Sequence, residues 1–368
     1  MKINKLIINT LEKNYSIIIG TNLLDKISVI LKKEKIQFNK CLIIADTNVP
    51  KKFVTNLKKK IKTNKIFVKK YYANEKNKNY KSVNKILNFL FNKNFSRDDC
   101  LISVGGGISG DVVGYAASIY KRGLKFINIP TTLLAQVDSS IGGKTGINNR
   151  YGKNLIGSFY QPDLVISDIL FLKSLSKRNI ICGYAEILKH SLISSRKNFL
   201  YLDKFKNEII SLKSPFIKKA IIDSCKTKKN VVQKDEKEKN FRKILNFGHT
   251  FAHAYEASLK FSNKLNHGEA VILGIKDAIK FSYQNKFLSK KKYDEILNHI
   301  NSLNLKIDIN KFFSSKDIKS IINFIKLDKK NKSSKINLVL LNKISKPIIN
   351  SNFNTNKIES FLKKELIN

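Results

Sequence analysis

The feature that most restricts how this chain can fold is an apolar run that breaks into glycine. DCLISVGGG (99–107) is followed at once by the helix-like stretch GDVVGYAASIYKRG (110–123), which Gly123 closes. A strand that runs into glycines and then a helix is the central unit of a parallel α/β sheet. Within it, GGGISG satisfies G-x-G-x-x-G through Gly105, Gly107 and Gly110. Glycines there let the backbone approach a pyrophosphate, and the helix N-terminus offers oriented N–H groups. The same pattern also describes a tight turn with no ligand. The acidic residue that usually follows about 20 positions later is missing, since Pro130 stands there. Asp46, at the end of an earlier strand, takes that role if its strand lies beside this one, which would depart from a plain Rossmann strand order.

The surrounding sequence fits that unit. Residues 2–9 and 15–19 read as a hairpin, and CLIIADTN (41–48), KIFVKKYY (65–72) and FINIPTT (126–132) as strands. SVNKILNFLFNKN (82–94) has helical spacing. From about 174 the texture changes to amphipathic helical patterns at 182–196, 215–233, 246–260, 267–285 and 290–303, and strand signals nearly vanish until INLVLL (336–341). The Lys-rich run 226–239 reads as a loop or helix end. For a chain of 368 residues these patterns predict two domains. Residues 1–175 form a Rossmann-like α/β dinucleotide-binding domain with a parallel sheet. Residues 176–368 form a mainly α-helical domain that binds metal and substrate.

Charge needs its own account. Lys and Arg number 70 against 28 Asp and Glu, a formal net of +42, yet only six of the 70 are Arg. Nucleic-acid binders cluster their basic residues and favour Arg for bidentate contacts. Here Lys is spread along nearly every surface-like segment. This predicts a solvated cationic surface that attracts small anions, with no specific nucleic-acid partner. Residues 1–9 lack the apolar core of a signal peptide. No apolar run reaches the ~18 residues of a membrane span. Cys41, Cys100, Cys182 and Cys225 are far apart and lie in or beside apolar stretches. They read as reduced, buried thiols of a cytoplasmic protein.

Two further clusters carry chemistry. DSSIGGKTGINNRYGKN (138–154) contains GKT, but Asp138 occupies the place where a phosphate-binding P-loop needs its first glycine, so an NTPase is excluded. Lys144 and Lys153 remain as cations beside Gly-rich backbone. Of five histidines, His249, His253 and His267 fall close together. His249 and His253, four apart, share a helix face, and Glu186 lies on a helix of the same half. One Glu with two His suits a catalytic Zn²⁺ or similar ion. Spacing alone favours His249, His253 and His267. A dinucleotide site in one domain and a metal site in the other, meeting at a cleft, predict metal-assisted oxidation of an alcohol on an anionic substrate.

Taken together, GGGISGDVVGYAAS, YKRG, IPTTLLAQVDSSIGGKTGIN, GKNLIGSFYQP, GYAEILKH, LNFGHTFAHAYE and HGEAV resemble the 3-dehydroquinate synthase family of sugar-phosphate cyclases, over residues 41–341. The resemblance implies a homodimeric lyase that requires NAD⁺ and one Zn²⁺ or Co²⁺ per subunit. Such an enzyme converts 3-deoxy-D-arabino-heptulosonate 7-phosphate to 3-dehydroquinate and phosphate in the shikimate pathway. In that family the C5 hydroxyl is oxidised, phosphate leaves with its own oxygen as base, C5 is reduced again, the ring opens and an aldol step closes the carbocycle.

Carried over by motif, the metal ligands become Glu186, His249 and His267, and His253 becomes a substrate-contacting or proton-handling residue. NAD⁺ would contact Asp46, Asn48, Glu75, Lys78, Gly107, Ile108, Ser109, Gly110, Asp111, Thr131, Thr132, Lys144, Lys153, Phe171, Leu172, Lys173 and Ser174. Substrate would meet Asp138, Lys144, Asn154, Lys189, Lys228, Arg242, Asn246, His253 and one of Lys329 and Lys330. Arg122 resembles an arginine that reaches the neighbouring subunit's active site. Ser109 and Ala252 depart from the family's usual Val or Ile and Gly. Three rivals make different predictions. A related cyclase would turn over uncarboxylated sugar phosphates, a polyol dehydrogenase would release NADH stoichiometrically, and a nucleic-acid binder would show sequence-selective affinity with a steep salt slope.

Overall fold

The structure, a computed structural model, describes residues 3–305, 307–328 and 335–366. The chain runs β1 (Asn4–Asn9), β2 (Asn14–Gly20), α1 (Ile27–Lys33), β3 (Lys40–Asp46), α2 (Lys51–Lys60), β4 (Lys65–Tyr71), α3 (Tyr80–Asn92), β5 (Cys100–Gly105), α4 (Gly107–Ile119), β6 (Lys125–Pro130), β7 (Lys144–Asn149), β8 (Gly152–Phe159) and β9 (Leu164–Asp168). It continues with α5 (Lys177–Ser194), α6 (Arg196–Ile210), α7 (Phe216–Lys234), α8 (His249–Ser258), α9 (His267–Gln284), α10 (Lys290–Ser302), α11 (Ile318–Asp328), β10 (Lys335–Lys343), β11 (Lys346–Asn354) and α12 (Thr355–Leu366).

Two compact units result. The first comprises residues 1–180 and 214–237, the second residues 181–213 and 238–368. The first is built on a seven-stranded sheet of order β1-β2-β9-β6-β5-β3-β4. Every neighbouring pair is parallel except β1 with β2. Both faces are buried, so the central strands are almost wholly apolar and side-chain direction alternates between two cores. Ile43 and Ala45 of β3 join Ile102 and Val104 of β5 under α1 and α2. Leu42, Ile44 and Leu101 point the other way, onto α3 and α4.

β3 pairs with β5 in register up to Ala45 opposite Val104, which sets Asp46 beside Gly105. The strand adjacency that Asp46 required is therefore present, and the strand order departs from the plain one as expected.

Residues 214–237, which the sequence reading assigned to the helical half, belong to the first unit. The reason is the apolar face of α7, with Ile217, Ile221, Cys225, Val231 and Val232 buried. That face packs on β1, β2 and the turn Ala135–Ser139. The Lys-rich run from 226 to 234 is thus the second half of a helix rather than a loop.

The second unit is mainly helical. α8 and α9 pack so closely that a Cβ on Gly274 would lie 2.1 Å from the Gly248 carbonyl oxygen. Its hairpin of β10 and β11 pairs antiparallel.

Candidate functional site

In the first unit, the expected cofactor residues gather in loops after the parallel strands. Asp46 ends β3 and Asn48 follows it, with the Asn48 N–H donating to Asp46 Oδ1 at 3.0 Å. Burial raises the Asp46 pKa against these donors. Glu75 and Lys78 follow β4, and the Tyr71 hydroxyl pins their loop by donating to the Asn77 carbonyl at 2.9 Å. Gly107 to Asp111 form the first turn of α4. A Cβ on Gly107 would come within 2.9 Å of Ser139 Oγ, and one on Gly106 within 3.2 Å of Thr132 Cγ2, so the backbone here stays bare. That cradle at a helix N-terminus fits a pyrophosphate. Thr131 donates its N–H to the Gly105 carbonyl at 2.9 Å.

Several of the expected residues meet directly. Lys78 Nζ lies 2.6 Å from Asp111 Oδ2 and also donates to Asn154 Oδ1. Lys153 pairs with Glu75 at 3.0 Å. Asn148, which sequence reasoning passed over, donates its side-chain amide to Glu75 Oε2 at 2.8 Å and its N–H to the Lys78 carbonyl at 2.8 Å. Lys228 Nζ sits 2.6 Å from Asp138 Oδ1 and 2.8 Å from the Asp138 carbonyl. Lys144 opens β7 with an exposed side chain. Phe171 and Leu172 are buried, Phe171 against Phe53, so within 171–174 only main chain, Lys173 and Ser174 face outward. Arg122 stands apart from these clusters, at a cavity of about 590 Å³ shared with Lys13, Arg97 and Lys125.

In the second unit, Glu186 is 1% exposed in the middle of α5. His249 and His267 are the first residues of α8 and α9, so two helix N-termini face one buried carboxylate, a favourable field for it. His249 Nε2 lies 3.2 Å from Glu186 Oε1 and His267 Nε2 3.6 Å from the same oxygen. Each imidazole is anchored through its other nitrogen: His249 Nδ1 to the Phe247 carbonyl at 3.2 Å, His267 Nδ1 to Glu256 Oε2 at 3.0 Å. Lys189 Nζ is 2.5 Å from Glu186 Oε2. Even so, neither Glu186 oxygen has a well-directed hydrogen bond, which makes this an ion pair with poor angles.

Burial opposes the Glu186 charge, but Lys189 and His249 hold the carboxyl well below the usual range. Burial, then Lys189, pushes His249 down to about 4, so it stays neutral. A neutral ring whose Nδ1–H is committed offers only a lone pair at Nε2. A lone pair facing a carboxylate oxygen calls for a cation between them. Oxygen and nitrogen donors of one Glu and two His suit a divalent ion of the zinc type.

Glu186, His249 and His267 each offer one potential ligand atom within 4.8 Å of the other two. Spacing alone had favoured His253 as a ligand. Its ring centroid lies 5.3 Å from that of His249 and 6.3 Å from that of His267, one turn along α8. Shared helix face did not decide the matter. His249 and His267 aim Nε2 at Glu186 from two different helices. Arg242 is buried in the short helix Phe241–Asn246, and the Asn246 amide donates to Glu238 Oε1 at 3.0 Å. Lys329 and Lys330 lie outside the described residues.

A unit built on a mostly parallel sheet and a helical unit with a Glu-His-His cluster define an α/β protein with a candidate divalent-ion site. Comparisons narrow it. Models of the 3-dehydroquinate synthase N-terminal and C-terminal regions match residues 69–182 and 183–331. A 3-dehydroquinate synthase of Pelagibacter ubique (strain HTCC1062) is 59% identical over 366 residues, all of both chains. A 2-deoxy-scyllo-inosose synthase complexed with carbaglucose-6-phosphate, NAD⁺ and Co²⁺ superposes with TM-score 0.85 at 23% identity, covering 99% of this chain and 100% of that one. A 2-epi-5-epi-valiolone synthase from Streptomyces hygroscopicus with NAD⁺ and Zn²⁺ gives 0.86 at 22%, covering 97% and 98%. The chain belongs to the 3-dehydroquinate synthase family. It is a carbon–oxygen lyase with that family's activity.

Proposed function

We propose that this chain converts 3-deoxy-D-arabino-heptulosonate 7-phosphate to 3-dehydroquinate and phosphate with NAD⁺ and one divalent ion, Zn²⁺ or Co²⁺. The observation that carries the reading is the convergence of the Glu186, His249 and His267 lone pairs beside Lys189. When bound, the ion would draw electron density from a substrate oxygen, and the nicotinamide would accept hydride and later return it.

The chain's own residues do the rest. Glu186, His249 and His267 hold the ion, and the backbone of Gly107 to Asp111 receives the cofactor pyrophosphate. Asp46 and Asn48 address its ribose. Lys78, fixed between Asp111 and Asn154, and Lys153, fixed by Glu75, place cations beside that anionic cofactor. The Asp138 carboxylate orients the Lys228 ammonium, a cation for a substrate carboxylate or phosphate. Lys144, Lys189, Arg242, Asn154 and Asn246 complete the polar contacts, and His253 handles a proton. In this reading the protein is a cytoplasmic homodimer in which Arg122 serves the active site of a second copy. The reading includes no specific nucleic-acid partner and no membrane partner. Among the described residues no helix is long and apolar enough to cross a membrane.

The test is phosphate release from the heptulosonate phosphate by wild type and His249→Ala, with catalytic NAD⁺ and Zn²⁺. Metal-dependent release without net NADH, lost in the variant, is expected. Turnover of sedoheptulose 7-phosphate but not of the heptulosonate would overturn the substrate assignment, and stoichiometric NADH the cyclase chemistry.

A further inference from the structure

The two imidazoles of the Glu-His-His cluster are anchored differently. His249 leans on a neutral carbonyl, that of Phe247. His267 leans on a carboxylate, Glu256 Oε2, at 3.0 Å. Glu256 is seven residues beyond His249 on α8, two turns on and so on the same face, with its side chain 11% exposed. Sequence reasoning did not single it out, although it closes the NFGHTFAHAYE motif.

The backbone that carries His267 is fixed independently. Asn266 and Glu269 form a reciprocal cap, Glu269 N to Asn266 Oδ1 at 2.8 Å and Asn266 N to Glu269 Oε2 at 2.9 Å. The Gly268 N–H donates to Cys182 Sγ at 3.2 Å, and a Cβ on Gly268 would sit 2.2 Å from Cys182 Cα. With the start of α9 held on both sides, what remains free is the rotation of the imidazole and the choice of its tautomer. A carboxylate facing Nδ1 settles both, because it can only accept.

We propose that Glu256 is a positioning residue for His267. By accepting the Nδ1–H, it leaves Nε2 as a lone pair turned toward Glu186, and it makes the ring a stronger donor to a divalent cation. The inference rests on the metal reading above and deepens it. It assigns Glu256 to ion affinity, with no contact to substrate.

The experiment measures Zn²⁺ uptake by the ion-stripped full chain in competition with a chromogenic chelator, for wild type, Glu256→Gln and Glu256→Ala. Thermal unfolding of each stripped protein is recorded alongside. The expected order of affinity is wild type, then Gln, then Ala, with Ala weaker by roughly 10–100-fold and the stripped proteins melting together. The Gln variant keeps the shape and an acceptor, so it carries the comparison if the Ala variant fails to fold. A folded Glu256→Ala that binds Zn²⁺ as tightly as wild type overturns the inference while leaving the metal reading intact. A wild-type chain that takes up no Zn²⁺ overturns both.

Discussion

Lys78 Nζ lies 2.6 Å from Asp111 Oδ2, and the two side chains are 5% and 21% exposed. Burial raises the Asp111 pKa, and the Lys78 ammonium is the main influence that opposes it. Removing the ammonium strands a mostly buried carboxylate. Breaking such a pair costs on the order of 3 kcal/mol.

Lys78→Met is therefore expected to lower the denaturant midpoint and to raise the KM for NAD⁺, with Lys76→Met, at an exposed position of the same loop, doing neither. Equal behaviour of the two variants in urea titration and NAD⁺ kinetics would remove the pair from the cofactor site.

Gly105 has no room for a side chain. A Cβ there would meet Ser109 Oγ at 2.4 Å and Ser109 Cβ at 2.7 Å, with Asp46 Cβ at 3.1 Å. Gly105→Ala should cost about 1–3 kcal/mol by overpacking, and Ser109→Gly should return part of that in the double variant. A double-mutant cycle measures the coupling. Strict additivity would show that the strain lies elsewhere.

The glycine loop, the parallel sheet and the cluster of histidines were all legible in the sequence, because their signals are local: an apolar run, a tripeptide of glycines, a rare residue type repeated within one segment. What was not legible depends on contacts distant in the chain. Spacing alone favoured His253, which shares a helix face with His249, and only the family motifs pointed to Glu186, far away on α5, whose carboxylate lies with His249 and His267. The β7–β8 hairpin is made of KTGINN and GKNLIGSF, whose Gly, Asn and Lys disfavour strand. α7 looked like part of the helical half until its buried face, including Cys225 donating toward the Gln136 carbonyl, tied it to the first unit. Phe171 and Leu172 matched a cofactor motif by position, but their side chains serve the core.

Asp277 gives a pH prediction. Burial raises its carboxyl to about 7; Tyr255, donating at 2.5 Å, opposes the shift, Glu365 adds to it, and Lys276 and Lys280 reduce it. Lys280 is itself paired with Glu365 at 2.6 Å. A carboxyl whose pKa is raised by folding binds its proton more tightly in the folded state. Its contribution is therefore full below the ordinary value near 3.8 and is lost as pH rises toward about 7. Asp277→Asn keeps an acceptor for Tyr255 and cannot ionise. The variant should match wild type at low pH and exceed it in melting temperature above neutrality. Parallel melting curves from acid to alkaline pH would contradict this.

The net charge of +42 makes a kinetic prediction. A field of one sign raises the local concentration of an anionic substrate and its rate of encounter. Salt shortens the reach of that field, from ~10 Å at 0.1 M to ~3 Å at 1 M. The kcat/KM for the heptulosonate phosphate should fall several-fold over that range, mainly through KM. Because Lys is distributed rather than clustered, single exposed lysines should change little. A salt-independent kcat/KM would mean that the surface charge does not steer substrate. A steep salt slope for one DNA sequence over others near physiological salt would instead point to a nucleic-acid footprint.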